Sequence, residues 1–291
     1  MLILNEAKYA QAIYNGENND VKSVMAKIRY ITRHLLYTEN KNDEDNYRET
    51  VQWLKAYHDN FDESCYSNLI SDAIKKAHKY PFYNIDSIKI TQSELDTISS
   101  LDNLRAEKVL FVLLCMAKQQ RISNGFTDGL VKYSMPELCK MARISVPAED
   151  REYILYYIVQ EGLVGYPKKN NTQCLIVNFI DDDCDDVGLE LDEMDCQELA
   201  YIYLNWKNKG KGYTRCQKCN RIIKQSKTKP RKYCEECAKY EPIGEKIVIC
   251  DCGVEFKVDA RNTTKIRCDN CQRKYRNEYM KELMAKKRAD C

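Results

Sequence analysis

Eight of the chain's fifteen cysteines form four close pairs after residue 215, a spacing typical of metal binding. Zinc prefers four soft ligands at the corners of a tetrahedron, and two cysteines a few residues apart can place both thiolates on one ion. The pattern therefore predicts two structural Zn²⁺ ions, each held by four cysteines in a zinc ribbon. The predicted ligands are Cys216, Cys219, Cys234, Cys237, Cys250, Cys252, Cys268 and Cys271.

Spacing alone leaves the pairing of these cysteines open. Sequential pairing gives two ribbons with loops of fourteen and fifteen residues, whereas alternating pairing gives a cross-braced site of the RING type. Similar loop lengths favour sequential pairing, as do Asn220 and Gly253, since both residue types tolerate the positive φ often needed after a first cysteine pair. A single residue, Asp251, separates the cysteines of the third pair, so the second ribbon departs from the commoner spacing.

No residue pattern in the chain is typical of a catalytic site. Four thiolates fill a zinc ion's coordination, whereas a catalytic zinc keeps one position for water. His34, His58 and His78 all lie in the N-terminal third without ligand spacing. There is no glycine-rich phosphate loop and no nucleophile beside a base. We therefore expect a protein that is not an enzyme.

The loop of the first ribbon is strongly basic, because six of its fourteen residues are Lys or Arg and none is acidic. Such a small polar loop cannot fold by burying apolar surface, so metal binding, worth roughly 10–16 kcal/mol in apparent terms, must organise it. Rigidly held Lys and Arg side chains suit phosphate backbones, because binding releases the counterions condensed on the phosphates. The candidate nucleic-acid contacts are Arg221, Lys224, Lys227, Lys229, Arg231 and Lys232, then Arg261, Lys265, Arg267, Arg273, Lys274 and Arg276, with Lys168 and Lys169 further upstream.

Charge is divided along the chain. Residues 196–291 hold 24 Lys and Arg against 12 Asp and Glu, whereas residues 1–195 hold 22 against 32, with nine acids between residues 181 and 195. This asymmetry indicates a nucleic-acid-binding end that is preceded by an acidic linker. DNA is expected ahead of RNA as the partner.

Tyr275, Tyr279 and Leu283 form a stripe on the last predicted helix, expected to pack on the ribbon or to form a dimer seam. The oligomeric state is left open.

Apolar periodicity predicts a mainly α protein with small β elements. Four helices are expected in the first hundred residues, the second capped by Asn19 or Asp20. A short strand pair or extended link should follow Pro81, and Asp102 should cap a long buried helix. The predicted helices cover residues 4–16, 21–39, 46–58, 66–80 and 103–120.

The stretch from about Asp102 to Ile180 has a recognisable order of elements. A short helix starts at Pro136, a second helix follows SVP, and GYPKKNNTQCLIVNF gives two strands around a turn. This order resembles the winged helix-turn-helix family, and the resemblance implies a wing at residues 168–171 and a recognition helix opening at Glu149. That helix begins Glu-Asp-Arg-Glu, and its acids would repel a duplex. Direct DNA reading and an architectural or protein-binding role therefore both stay open.

The segments ILNEAKYA, YPFYNIDSIKIT and ARISVPAEDREYI resemble uncharacterised proteins of phages and mobile elements in low-GC bacteria. The resemblance implies a phage or bacterial source. An adaptor that binds a host replication, transcription or defence complex is the alternative function.

The longest apolar run is nine residues, and no secretion signal is recognisable, so we expect a cytoplasmic protein without membrane contact. The predicted domains are a helical domain (1–100), a winged-helix domain (101–180), an acidic linker (181–195), a first ribbon with its preceding helix (196–245) and a second ribbon with a basic helix (246–291).

Overall fold

The computed structural model describes residues 2–17, 21, 23–58, 61–125, 128–168, 174–181, 186–226, 228, 230–239, 245–259 and 264–289. Helices dominate these residues, and the strands form small antiparallel sheets, so the mainly α fold class is confirmed. The chain divides into two compact units, Met1–Lys232 and Tyr233–Cys291. No helix in the described ranges is both long and apolar enough to cross a membrane.

The first four helices form a bundle with its own core. The helices are α1 (Glu6–Tyr14), α2 (Val24–Tyr37), α3 (Asp43–Tyr57) and α4 (Glu63–Ala77). Helix α2 contacts the other three, and Ile31, Leu35, Leu54 and Ile70 are fully buried between them.

Polar caps set the starts of these helices, because a side-chain oxygen satisfies a backbone N–H that the first turn leaves unpaired. Asn42 and Asp62 cap α3 and α4, so both helices start three residues before the predicted positions. Ser23 caps α2. The predicted caps Asn19 and Asp20 lie outside the described residues.

A second core surrounds α6 (Leu104–Asn124), whose residues from Val109 to Cys115 are all fully buried. Asn103 caps this helix, while the predicted cap, Asp102, takes a positive φ of 49° immediately before it. Around α6 lie β1 (Ile88–Thr91), α5 (Gln92–Ser99), β2 (Leu130–Lys132), α7 (Met135–Met141), α8 (Ala148–Gln160), β3 (Val164–Gly165), β4 (Cys174–Val177) and β5 (Val187–Leu191).

The predicted order of long helix, short helix, helix and two strands is present from α6 to β4. Strand β2 was not predicted, and it pairs with β4 to give a three-stranded sheet in the order β2-β4-β3. Of the predicted hairpin tip, residues 168–171, Lys168 is described, and residues 169–173 lie outside the described residues.

Part of the predicted acidic linker is a strand. Strand β5 pairs antiparallel with β1 over Ile88–Thr91, and Leu191 is buried in the α6 core. The expected strand pair after Pro81 is therefore made with a partner about a hundred residues later, and the following residues form α5 instead. Composition alone suggested a linker, since acids outnumber apolar residues between 181 and 195.

Helix α9 (Leu199–Lys207) attaches the first ribbon to the α6 core. Tyr203 is fully buried beside Phe111, and its hydroxyl donates to Glu107 on α6 at 2.8 Å. Lys207 also contacts the Glu107 carboxylate, which is 1 % exposed. The ribbon strands β6 (Tyr213–Arg215) and β7 (Ile222–Lys224) follow, and Ile222 is buried in the same core.

The remaining elements are the helix α10 (Glu235–Lys239), the hairpin of β8 (Glu245–Ile249) and β9 (Glu255–Asp259), and the helix α11 (Asp269–Ala289). All four elements belong to the second compact unit.

We predict that Tyr203→Phe lowers the free energy of unfolding by about 1–2 kcal/mol, because the buried Glu107 carboxylate loses a hydrogen-bond donor. Urea denaturation followed by tryptophan fluorescence measures the change. Tyr156→Phe is the matched control, because Tyr156 is 59 % exposed and should change stability by less than about 0.5 kcal/mol. Equal stability of the two variants would show that the contact between α6 and α9 does not depend on this bond.

Candidate metal centres

The structure brings the eight predicted ligands into two groups of four. One group is Cys216, Cys219, Cys234 and Cys237, and the other is Cys250, Cys252, Cys268 and Cys271; within each, the sulfur atoms lie within 4.8 Å of one another. This grouping is the sequential one, so the cross-braced alternative is not the arrangement found.

The sulfur geometry fits zinc. A tetrahedron with Zn–S bonds of about 2.3 Å has sulfur atoms about 3.8 Å apart, and the Sγ atoms of Cys252 and Cys268 are 3.7 Å apart. A disulfide needs about 2.05 Å, and none of the described cysteines forms one. Two groups of four cysteines, each able to hold one structural zinc ion, are therefore present.

The first pair of ligands is shaped by the β6–β7 hairpin. The N–H of Cys216 donates to the carbonyl of Arg221 at 2.8 Å, and the N–H of Asn220 donates to the carbonyl of Cys216 at 2.9 Å. Asn220 has a φ of 61°, so the predicted positive φ after the pair is confirmed. This turn curls the backbone and directs Cys216 and Cys219 toward a common point.

The second pair of the first group stands at the start of α10. The N–H of Cys237 donates to the Sγ of Cys234 at 3.4 Å, and the N–H of Ala238 donates to the Cys234 carbonyl at 2.9 Å. This turn places the sulfur atoms of Cys234 and Cys237 together in the first group.

The second group repeats this plan despite its shorter first pair. The N–H of Gly253 donates to the Cys250 carbonyl at 2.8 Å, with Gly253 at a φ of 84°. Cys268 and Cys271 stand at the first turn of α11, where the N–H of Gln272 donates to the Cys268 carbonyl at 2.8 Å. Cys252 is exposed, in contrast to the buried Cys250.

The thiols of the second group influence one another's ionisation. Hydrogen bonds, first from the Cys252 backbone and then from the Cys268 backbone, lower the pKa of Cys250 to about 6. Hydrogen bonds with the Cys252, Cys268 and Cys250 side chains raise the pKa of Cys271 to about 12. Four negative sulfurs this close repel one another, and a divalent cation offsets that repulsion.

Ion pairs hold the first ribbon hairpin to the preceding segment, and the sequence did not point to them. Arg215, next to the ligand Cys216, pairs with Asp195 through both terminal nitrogens at 2.8 and 3.3 Å. Asp195 is 4 % exposed, and contact with it raises the pKa of Arg215. Arg143 binds Glu198 with its Nε at 2.9 Å and stacks on the Tyr201 ring at 4.3 Å. These partners are far apart in the chain, so no local pattern marks them.

The predicted nucleic-acid contacts fall into three sets. Lys168, Lys224, Arg231, Lys232, Arg273, Lys274 and Arg276 are exposed. Arg221, Lys265 and Arg267 are partly buried: Arg221 donates to Gln197 at 2.7 Å, Lys265 pairs with Asp269 at 2.8 Å, and Arg267 stacks on Tyr275 at 4.4 Å. Lys169, Lys227, Lys229 and Arg261 lie outside the described residues.

Two basic residues of α6 join the exposed Lys224, and sequence reasoning missed both. Burial lowers the pKa of Lys108, and the charges of Arg105 and then Lys224 lower it further. Arg105 is exposed, and the Lys108 amine donates to the Arg143 carbonyl at 3.2 Å. These cations are close enough to repel one another, so positive charge accumulates between the start of α6 and the end of β7. Nothing in the local sequence LRAEK distinguishes this site from an ordinary helix start.

A comparison with known protein families found no match, and comparisons with curated proteins and with solved structures found none either. The metal geometry is therefore the main guide to function.

We predict that the purified protein holds two Zn²⁺ ions and that Cys271→Ala removes only the ion of the second group, because the two groups share no ligand. Mass spectrometry under native conditions or a chromogenic zinc assay counts the ions. Cys65→Ala is the control, because Cys65 is an exposed thiol on α4 outside both groups. Loss of both ions from Cys271→Ala would argue for ligands shared between the groups.

Proposed function

We propose that the protein binds nucleic acid through its two four-cysteine ribbons and carries out no catalysis. The observation that carries this proposal is the placement of Lys224, Arg231 and Lys232. All three are exposed on the loop between the two cysteine pairs of one metal group. A metal-organised loop holds these cations in place before a polyanion arrives, so little ordering entropy opposes binding.

The basic cluster of Arg105, Lys108 and Lys224 gives the proposal independent support. Like charges held close together cost free energy in the unbound protein, and phosphates relieve that cost. The ion pair between Arg215 and Asp195 keeps the β6–β7 hairpin attached to the segment before α9. Lys224 of the hairpin therefore stays near enough to Lys108 of α6 for their charges to repel.

The module from α6 to β4 is best interpreted as a winged helix, supported by its element order and by the strand order β2-β4-β3. In such a module α8 occupies the place of the recognition helix. The exposed side of α8 carries Glu149, Asp150 and Glu152. Acids at that position oppose phosphate approach, so in this proposal the ribbons, and not α8, contact the nucleic acid.

Two further parts of the proposal rest on sequence. DNA is proposed as the partner ahead of RNA on the winged helix-turn-helix resemblance, because charge alone does not distinguish the two polyanions. A phage or mobile element of low-GC bacteria is the proposed source, with the bacterial cytoplasm as the location, on the resemblance of residues 1–180.

We predict that Lys224→Ala/Arg231→Ala/Lys232→Ala weakens binding to a 20-base-pair duplex and to a 20-nucleotide single strand. Removing three phosphate contacts should reduce the slope of log K against log salt by about 2–3. Fluorescence anisotropy between 50 and 200 mM salt measures both quantities.

The matched control is Lys75→Ala/Lys76→Ala/Lys79→Ala, which removes the same charge from exposed positions at the end of α4. If both triple variants lost the same affinity, the effect would reflect only the net charge of the protein. No binding of either nucleic acid by the zinc-loaded protein would overturn the proposal.

One observation favours a second function, that of a protein-interaction adaptor. Tyr153 and Tyr156 on α8 are 66 % and 59 % exposed, beside the acids that open the helix. Tyrosines are enriched in protein interfaces, and an acidic surround suits a basic partner surface. A host replication, transcription or defence complex is the class of partner proposed for this adaptor.

We predict that Tyr153→Ala/Tyr156→Ala leaves nucleic-acid affinity within about twofold, because these side chains lie on an acidic surface. If α8 binds a partner protein, complexes recovered by affinity purification of the wild type should be lost in this variant and kept in Tyr80→Ala, a 65 % exposed control. A large loss of DNA binding in the double variant would instead return α8 to the role of recognition helix.

A further inference from the structure

Helix α11 presents aromatic and basic side chains that no described part of the chain covers fully. Tyr275, Tyr279, Met280 and Met284 are 50 %, 54 %, 45 % and 54 % exposed. The helix contains seven Lys or Arg against three Asp or Glu. The sequence predicts that the tyrosine stripe packs on the ribbon or forms a dimer seam. In the structure, the ring of Tyr275 contacts the ribbon through the Arg267 guanidinium.

The second metal group determines where this helix starts. Cys268 and Cys271 are ligand candidates at its first turn, and Lys265 pairs with Asp269 at 2.8 Å across the same turn. Arg267 lies over the Tyr275 ring at 4.4 Å. An arginine on one face of an aromatic ring leaves the other face available for stacking.

The spacing of the two tyrosines suits a base between them. Residues four apart share one face of a helix and are separated by about 6 Å along its axis. Bases stack at a repeat of about 3.4 Å, so a base between two rings needs about 6.8 Å. The backbone positions of Tyr275 and Tyr279 are nearly that far apart along the axis of α11.

We propose that Tyr275 and Tyr279 bind single-stranded nucleic acid by stacking on unpaired bases, with the adjacent basic residues of α11 contacting its phosphates. The proposal rests on the nucleic-acid function proposed above and specifies the form of strand. Unpaired bases expose faces for stacking, whereas the bases inside a duplex are covered by their neighbours. Arg276 borders the tyrosine face on one side and Glu278 on the other, so the backbone should follow the Arg276 side.

The charge of α11 argues against the other occupants of this face. Two copies of a helix with a net charge of +4 repel each other when aligned. A lipid surface would favour a wider apolar face than two tyrosines and two methionines bordered by charged residues.

The test compares Tyr279→Ala with Tyr279→Phe in the full-length, zinc-loaded protein. The probes are a 20-nucleotide oligothymidylate, the matching oligouridylate, an abasic strand of equal length and a 20-base-pair duplex. We expect Tyr279→Ala to weaken binding of both base-containing single strands roughly tenfold. Tyr279→Phe should keep affinity within about twofold, because the ring remains. The abasic strand and the duplex should bind both variants equally.

Met284→Ala is the matched control on the same helix, since Met284 is as exposed as Tyr279. Photo-crosslinking of a 5-iodouracil strand, mapped by mass spectrometry, should label Tyr275 or Tyr279 if the bases stack there. The inference is wrong if Tyr279→Ala binds the oligothymidylate normally or loses affinity equally for the abasic strand. In either case the wild type still binds nucleic acid, so the proposed function stands.

Failure of the wild type to bind any of the four probes would instead remove the proposed function itself. A Tyr279→Ala variant that loses a dimer in sedimentation, or loses binding to vesicles of phosphatidylglycerol, would reassign the exposed face to self-association or to lipid and overturn the inference.

Discussion

The constraint on which the C-terminal third of this protein depends is the gathering of eight cysteines into two groups, each able to hold one zinc ion. In the two ribbons the buried residues are largely the ligands themselves: Cys216, Cys234, Cys250 and Cys268 are between 2 % and 9 % exposed. Among the described residues of the two hairpins, the apolar side chains buried with them are Ile222, Ile223 and Val258, so burial of apolar surface contributes less there than in the α6 core. Zinc held by these cysteines would take the place of a hydrophobic core in the ribbons.

The two ribbons differ in what supports them. The first hairpin, β6–β7, buries Ile222 in the α6 core and is tied to the preceding segment by the buried Asp195. The β8–β9 hairpin instead exposes Ile247 and Ile249 at 63 % and 65 %. Loss of metal should therefore leave the first hairpin partly ordered by its apolar contacts, whereas the second relies on its ion and on the β8–β9 hydrogen bonds.

Sequence patterns predicted the metal groups well because ligation is local. Four close cysteine pairs, with Asn220 and Gly253 at positions that need positive φ, specify both turns without knowledge of the rest of the fold. The helices were also predictable from period and caps, although the ends moved by a few residues where another capping side chain was available, as at Asn103.

Long-range contacts were not predictable in the same way. The pairing of β5 with β1, the Glu107–Tyr203 bond and the Arg215–Asp195 pair join residues between 20 and about 100 positions apart. Acidic composition concealed β5, because a strand of five residues on a sheet edge needs only one buried side chain, Leu191. The basic cluster at Lys108 was also hidden from the sequence, because it forms only when α9 brings the ribbon against α6.

Opposite charges lie close together in the first unit, because Arg105 of α6 lines one pocket with Asp150 and Tyr153 of α8. Arg105, Lys108 and Lys224 concentrate positive charge near the ribbon hairpin, while Glu149, Asp150 and Glu152 make the start of α8 negative. In the proposed function, a polyanion attracted by Lys108 and Lys224 would be repelled as it came near these acids, so the ribbon side is its more favourable path. If both proposed functions hold, the exposed tyrosines of α8 would remain accessible to a protein partner while the ribbons hold a strand.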